Sequence, residues 1–323
     1  MQPDLSHASS RPNDRSHCCA LKGRSDVAHP AFWIAATALI GAAATRVSVA
    51  EPHAVLAATV VFIGGGLPHG AYDIALLRRA VPLGRTGLVL ATFGYIAVTL
   101  VMAIAWLTAP LVALILFLAV AAVHFGEDWQ MLDEPFLRVA AGAAVIAAAT
   151  IGHPADVSVL FVAMSDQRGI VIAQIITAAA PVALLITVVG VVVAWREGNR
   201  EWATAMTACL ILLLVLPPVV GFALFFVFLH SPRHFAEART ALSDMTWARW
   251  LATGAILSSA AIIGWWGLER LVPGAIGATL SARAFQLLAS VAVPHLLLSR
   301  WLETRIDQPL HGASLVSPTV GQS

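Results

Sequence analysis

The sequence predicts an all-α, polytopic integral membrane protein, a bundle of about eight to ten transmembrane helices with its N-terminus in the cytoplasm. Three observations carry this. Of 323 residues, 59% are hydrophobic and only 11% charged, where a soluble domain carries about 25% charged residues. The apolar residues gather into stretches close to the about 20 residues that cross a hydrocarbon core about 30 Å thick. The cations between those stretches fall mostly in alternate loops, and so on one side. Net charge is +1, so no broad basic field is available to bind nucleic acid.

Taken in order, residues 1–29 are polar, with Ser, Asn, Asp, Arg and His scattered and no apolar run. They read as a disordered tail and lack the apolar core of a secretory signal. His7, His17 and His29 within them read as solvated. Residues 30–305 read as one transmembrane helical catalytic domain, and 306–323 as a polar C-terminal tail. Within the domain, apolar spans are expected at 30–50, 53–77, 86–107, 110–126, 136–152, 170–195, 202–216, 217–236, 248–268 and 282–300. The stretch 202–216 is short, and Pro217-Pro218 after it is a turn between two crossings or a kink in one long helix. The apolar piece near 157–164 is too short to cross and reads as interfacial or re-entrant. Cys18 and Cys19 are adjacent in the tail and Cys209 lies in an apolar stretch, so no disulfide framework follows.

With the N-terminus inside and the spans alternating, fifteen of the nineteen Lys and Arg face the cytoplasm. Only Arg46, Arg168, Arg270 and Arg283 face outward. This points to multi-pass residence in the cell (inner) membrane. Histidines carry no weight in that count, yet His69, His124, His230, His234 and His295 all fall at similar depth on the inner side, while His53 and His153 fall on the outer side.

Ionisable groups at membrane depth are costly and usually functional. His230 and His234 are spaced i, i+4, on one helical face, with Pro232 between them marking a kink or helix end. Helix bundles build metal sites from side chains on facing helices, and imidazoles suit iron, copper or zinc. They suit Mg²⁺ and Ca²⁺ poorly, and no cysteine lies near enough in sequence for an iron–sulfur cluster. Asp73 follows His69 by four residues and Asp128 follows His124 by four. At that spacing each aspartate would accept the outer N–H of a metal-bound imidazole. Glu127 reads as an interfacial residue. His295 repeats the Pro-His context of Pro68-His69 but has no acidic residue at i+4. It reads as a residue of the substrate pocket or one that backs a ligand. Gly64-Gly65-Gly66 and Gly70 provide close helix packing or room for a long flat ligand. Of the aromatics at this depth, Phe62, Tyr72, Phe125, Trp129, Phe222, Phe225, Phe226, Phe228 and Phe235, most read as packing and some as the wall of a tunnel for an apolar substrate.

Pro68-His69-Gly70-Ala71-Tyr72-Asp73, His124-Phe125-Gly126-Glu127-Asp128, His230-Ser231-Pro232-Arg233-His234 and Pro294-His295 together resemble the bacteriorhodopsin-related Brp/Blh family, in order and spacing, over nearly all of the chain after the tail. The resemblance implies an integral membrane β-carotene 15,15′-dioxygenase, an oxidoreductase of carotenoid cleavage and retinal biosynthesis. Such an enzyme cuts the central double bond of β-carotene with O2 into two all-trans-retinal, often beside a microbial rhodopsin. It further implies a non-haem Fe(2+) cofactor held by His69, His124, His230 and His234. The long N-terminal tail is an addition to the family pattern. β-Carotene dissolves in the bilayer, so an intramembrane site needs no aqueous entry, and the chemistry needs no Ser-His-Asp arrangement. Two other classes share some features. A membrane di-iron desaturase or hydroxylase uses about eight histidines and two metals. A haem carrier would show a Soret band, and a metal transporter would spread its ligands along a path.

Overall fold

The structure, a computed structural model, describes residues 28–45, 52–274 and 276–306, with the backbone alone for His69 and residues 302–306. The tails expected at 1–29 and 306–323 lie outside the described residues except for Ala28, His29 and Ile306, and Cys18, Cys19 and Arg46 lie outside with them. The described residues form helices and connecting turns, with no strand among them.

Proline opens many of the helices. Pro30 begins α1 (Pro30–Ala44), Pro52 begins α2 (Pro52–Gly66), Pro110 begins α5 (Pro110–Gly126), Pro135 begins α6 (Pro135–Gly152), Pro154 begins α7 (Pro154–Met164) and Pro218 begins α10 (Pro218–Ala223). At the first helical position the missing N–H costs nothing and the fixed φ is already helical. The other helices are α3 (Asp73–Ala80), α4 (Arg85–Thr108), α8 (Gly169–Arg196), α9 (Arg200–Val215), α11 (Ser231–Ala241), α12 (Trp247–Leu271) and α13 (Leu280–Ile306).

Eight spans among the described residues are long and apolar enough to cross a membrane: Pro52–Ala80, Arg85–Thr108, Pro110–Trp129, Pro135–Gly152, Gly169–Arg196, Pro218–Ala241, Trp247–Leu271 and Leu280–Trp301. Of the stretches expected to cross at 30–50 and 202–216, the described helices are shorter, α1 with 15 residues and α9 with 16, and residues 46–50 lie outside the described ones. The prolines end α9: Leu216 and Pro217 are both extended, at ψ 152° and 140°, so Pro217-Pro218 is a turn between two helices and not a kink in one. Helix α7, at 11 residues, is too short to cross, as expected. In the turn before α8, Asp166 accepts from the guanidinium and backbone N–H of Arg168, which holds its carboxyl below the usual carboxylate range.

Burial ranks the helices by position. The span of α13 is 67% buried, that of α10 and α11 is 50% and that of α5 is 44%, whereas α4 and α12 are each 11% buried and form outer walls. The three central spans carry His295, His230 with His234, and His124. Buried polar groups at the other end of α13 are paired. Gln286 donates to the Met164 carbonyl at 2.8 Å and accepts from the Gly277 N–H at 3.0 Å.

Close approach holds α5 against α6. A Cβ at Gly142 would meet the Ala122 carbonyl and lie 2.9 Å from the Gly126 Cα, and one at Gly126 would lie 2.8 Å from the Arg138 carbonyl oxygen. Helix α12 docks on the turn that follows α2, where Tyr72 stacks on Trp250 at 3.6 Å and donates to its carbonyl.

Candidate metal centre

Three departures from α-helical geometry occur where ionisable side chains leave the regular helix faces. Pro68 starts a 3-10 turn, Leu67–Tyr72, between α2 and α3. Helix α5 tightens into a second 3-10 turn, Glu127–Trp129. Between α10 and α11 runs a π-helical turn, Leu224–His230. Pro232 accounts for this last one. It has no N–H and its ring crowds the carbonyl four residues back. The widened turn absorbs the conflict, with the Ser231 N–H reaching the Phe226 carbonyl five residues back.

These turns bring three of the expected histidines together. The donor atoms of His124, His230 and His234 lie within 4.8 Å of one another. Ring centroids are 4.6 Å apart for His124 and His230, 5.3 Å for His124 and His234, and 4.6 Å for His230 and His234. The His230 side chain is 0% exposed and stacks on Phe226 and Phe225. The side chain of His69 lies outside the described ones. Its backbone sits in the 3-10 turn, where a Cβ on neighbouring Gly70 would lie 3.6 Å from the Cβ of His295.

The carboxylate partner of His124 is not the one that i+4 spacing predicts, and the pairing expected between His69 and Asp73 lies outside the described side chains. His124 pairs through Nδ1 with Glu127 at 3.0 Å, and Asp128 pairs with Nδ1 of His230 at 2.7 Å. Asp73 pairs with Nδ1 of His295, 2.8 and 2.9 Å from its two oxygens. The cause is the 3-10 geometry. At three residues per turn, position i+3 eclipses position i, and i+4 is rotated about 120° away. Glu127 therefore takes the place expected of Asp128, and Asp128 turns toward a helix 102 residues further on. Glu127 is thus part of the cluster. Its other oxygen accepts from Arg300 Nε at 3.2 Å.

Sequence reasoning also missed Tyr95, whose hydroxyl donates to Asp73 at 2.9 Å. The signal was available: the chain has two tyrosines against 13 phenylalanines, and a hydroxyl kept at membrane depth needs a partner. Arg233, which donates to the Asp128 carbonyl at 3.3 Å, was likewise not singled out.

The donor set fits a cation. His124 Nε2 and His230 Nε2 are 3.0 Å apart. With both Nδ1–H groups donating to carboxylates, the two Nε2 atoms turn lone pairs toward each other in a buried site. Only a proton or a metal relieves that repulsion. Two imidazole nitrogens at right angles on a metal about 2.0–2.1 Å away sit about 3 Å apart.

His295 stands beside this group, its ring 5.4 Å from that of His124 and 6.4 Å from that of His234. Together His295 and His124 form the polar part of the wall of an otherwise apolar cavity, bounded also by Gly66, Gly70, Phe125 and Phe226. The glycines before His69 do different things. A Cβ at Gly65 would meet Val227 and one at Gly66 would lie 2.6 Å from the Phe226 ring, so both serve packing, while Gly66 and Gly70 also face the cavity. Of the aromatics, Phe125, Phe222 and Phe226 line this space, and Phe62 and Trp129 belong to the surrounding core.

Residues 31–303 match the family model described as beta-carotene 15,15′-dioxygenase. A protein of uncultured marine bacterium 66A03, named Beta-carotene 15,15′-dioxygenase, is 27% identical over 264 residues, which is 75% of this chain and 90% of its own. A Halobacterium salinarum protein, named Probable beta-carotene 15,15′-dioxygenase Blh, is 27% identical over 337 residues, 87% of this chain and 94% of its own. No solved structure matches the chain.

Proposed function

Because the chain belongs to the beta-carotene 15,15′-dioxygenase family, we propose that it cleaves the central 15,15′ double bond of β-carotene with O2 to give two all-trans-retinal. The site would be a non-haem ferrous iron held by His124, His230 and His234, with His69 as a fourth ligand. The setting would be the cell (inner) membrane with the N-terminus in the cytoplasm, where retinal released into the bilayer can reach a microbial rhodopsin. The observation that supports this most is the pair of buried Nε2 atoms 3.0 Å apart, each imidazole backed by a carboxylate, with His124 at the wall of an apolar cavity.

Each half of the polyene gains one oxygen atom, and no hydrogen or water is taken up or lost. The site therefore needs no general base, and its carboxylates serve another purpose. Asp128 keeps the proton on Nδ1 of His230 and so keeps Nε2 turned inward. Glu127 does the same for His124, and Arg300 fixes Glu127. Bound ferrous iron supplies the electron-transfer chemistry that lets O2 react with a C=C bond. Phe125 and Phe226 exclude water beside the histidines and present flat faces to a conjugated chain. His295, oriented by Asp73 and Tyr95, borders the same space and would position the polyene.

Expression in β-carotene-producing cells tests the activity. The expected result is bleaching with two retinal formed per β-carotene lost; unequal apocarotenals, or no loss of colour, would contradict it. Asp128→Asn keeps the shape but weakens the acceptor behind His230. It is expected to lower iron retention about 10–100-fold, read by elemental analysis of purified protein against free iron.

A further inference from the structure

A second cavity adjoins the one beside His124 and His295, and the two share Phe117, Ala121, Phe125 and Phe222 as walls. No ionisable residue lines the second cavity. Its one hydroxyl, on Thr150, donates to the Ile146 carbonyl at 2.8 Å and so is already satisfied within its own helix. Its far wall is Val157, Phe161 and Met164, all buried and all on α7, the helix too short to cross.

We propose that this far cavity houses one half of the polyene up to its end ring, with α7 as the stop that sets which double bond lies beside the histidines. The proposal rests on the reading of the protein as a carotenoid-cleaving enzyme. It follows from three facts. The far space has no ionisable residue in its wall, it shares four wall residues with the space that His124 lines, and its wall on α7 is buried. A stop at fixed depth gives a central cut without any contact specific to the central bond, because a polyene seated against α7 presents the same bond each time.

The test fills or deepens the far cavity without touching the histidines. Ala149→Phe fills it from α6 and Leu160→Phe from α7. In each, β-carotene retained by purified metal-free protein, read from its visible absorbance, is expected to fall at least tenfold. A polyene shortened on one arm is expected to stay bound within about threefold of the wild type. Phe161→Ala deepens the stop and is expected to shift the products from retinal toward unequal apocarotenals. Retention of β-carotene at the wild-type level in both filled variants would overturn the proposal. Equal loss of the long and the shortened polyene in both would overturn it too. Because retention is read without iron, a wild type that binds β-carotene but forms no retinal counts against the proposed reaction and not against the far cavity.

Discussion

His230→Ala is expected to lower retinal formation more than 100-fold and to strip the purified protein of iron. The substitution removes a ring that lies 3.0 Å from His124 Nε2 and is fully enclosed. Removing the carboxylate behind a metal-bound imidazole costs about 10–100-fold, and removing the imidazole itself should cost more. Asp128 would lose its nearest partner but keep Arg233 at 4.0 Å, so the bundle should still fold. Circular dichroism in detergent should match the wild type. His153→Ala, at the turn between α6 and α7, is expected to change neither activity nor iron content. Activity in His230→Ala within tenfold of the wild type would remove His230 from the site.

The second large effect is structural. Gly142→Ala puts a methyl against the Ala122 carbonyl and 2.9 Å from the Gly126 Cα. These are backbone atoms of α5, so no side-chain rotation relieves the clash and the helices must separate. Overpacking costs about 1–3 kcal/mol or more. Membrane helices that pack through glycine have little else to draw them together at that crossing. Ala122 and Gly126 flank His124, so the displacement also moves a proposed ligand. The expected result is a lower unfolding temperature in detergent together with loss of retinal formation. Gly264→Ala is the control, because a Cβ there meets nothing within 4 Å. Equal stability of the two variants would show that the crossing of α5 and α6 is looser than described.

Much of this was legible in the sequence, and the limits have physical causes. Length and apolarity marked the crossing helices because the bilayer imposes both. The His230–His234 pair could be read because four residues of near-helical chain put both side chains on one face. The carboxylate partner of His124 could not. The i+4 rule assumes α-helical geometry, and the chain turns 3-10 just after His124. The partners then come from far away, Asp128 to His230 across 102 residues and Asp73 to His295 across 222. Such pairs depend on how helices pack, which hydropathy does not encode. The pairing of Glu127 was hidden for the same reason: an acid at the end of an apolar run shows no partner until the helices pack. Helix α9 fell short of a crossing because Pro217-Pro218 turns the chain, an outcome the two prolines left open in sequence. Helix α7 was recognised as too short to cross, but its place at the end of a cavity emerged only from packing.

The most direct test of the central claim is an Fe(II) titration of metal-stripped protein with β-carotene and O2, read as retinal formed. Activity should be absent without iron, rise linearly with it and saturate at one iron per chain. Saturation at two irons, or retinal formed by the metal-free chain, would contradict a single iron centre at His124, His230 and His234.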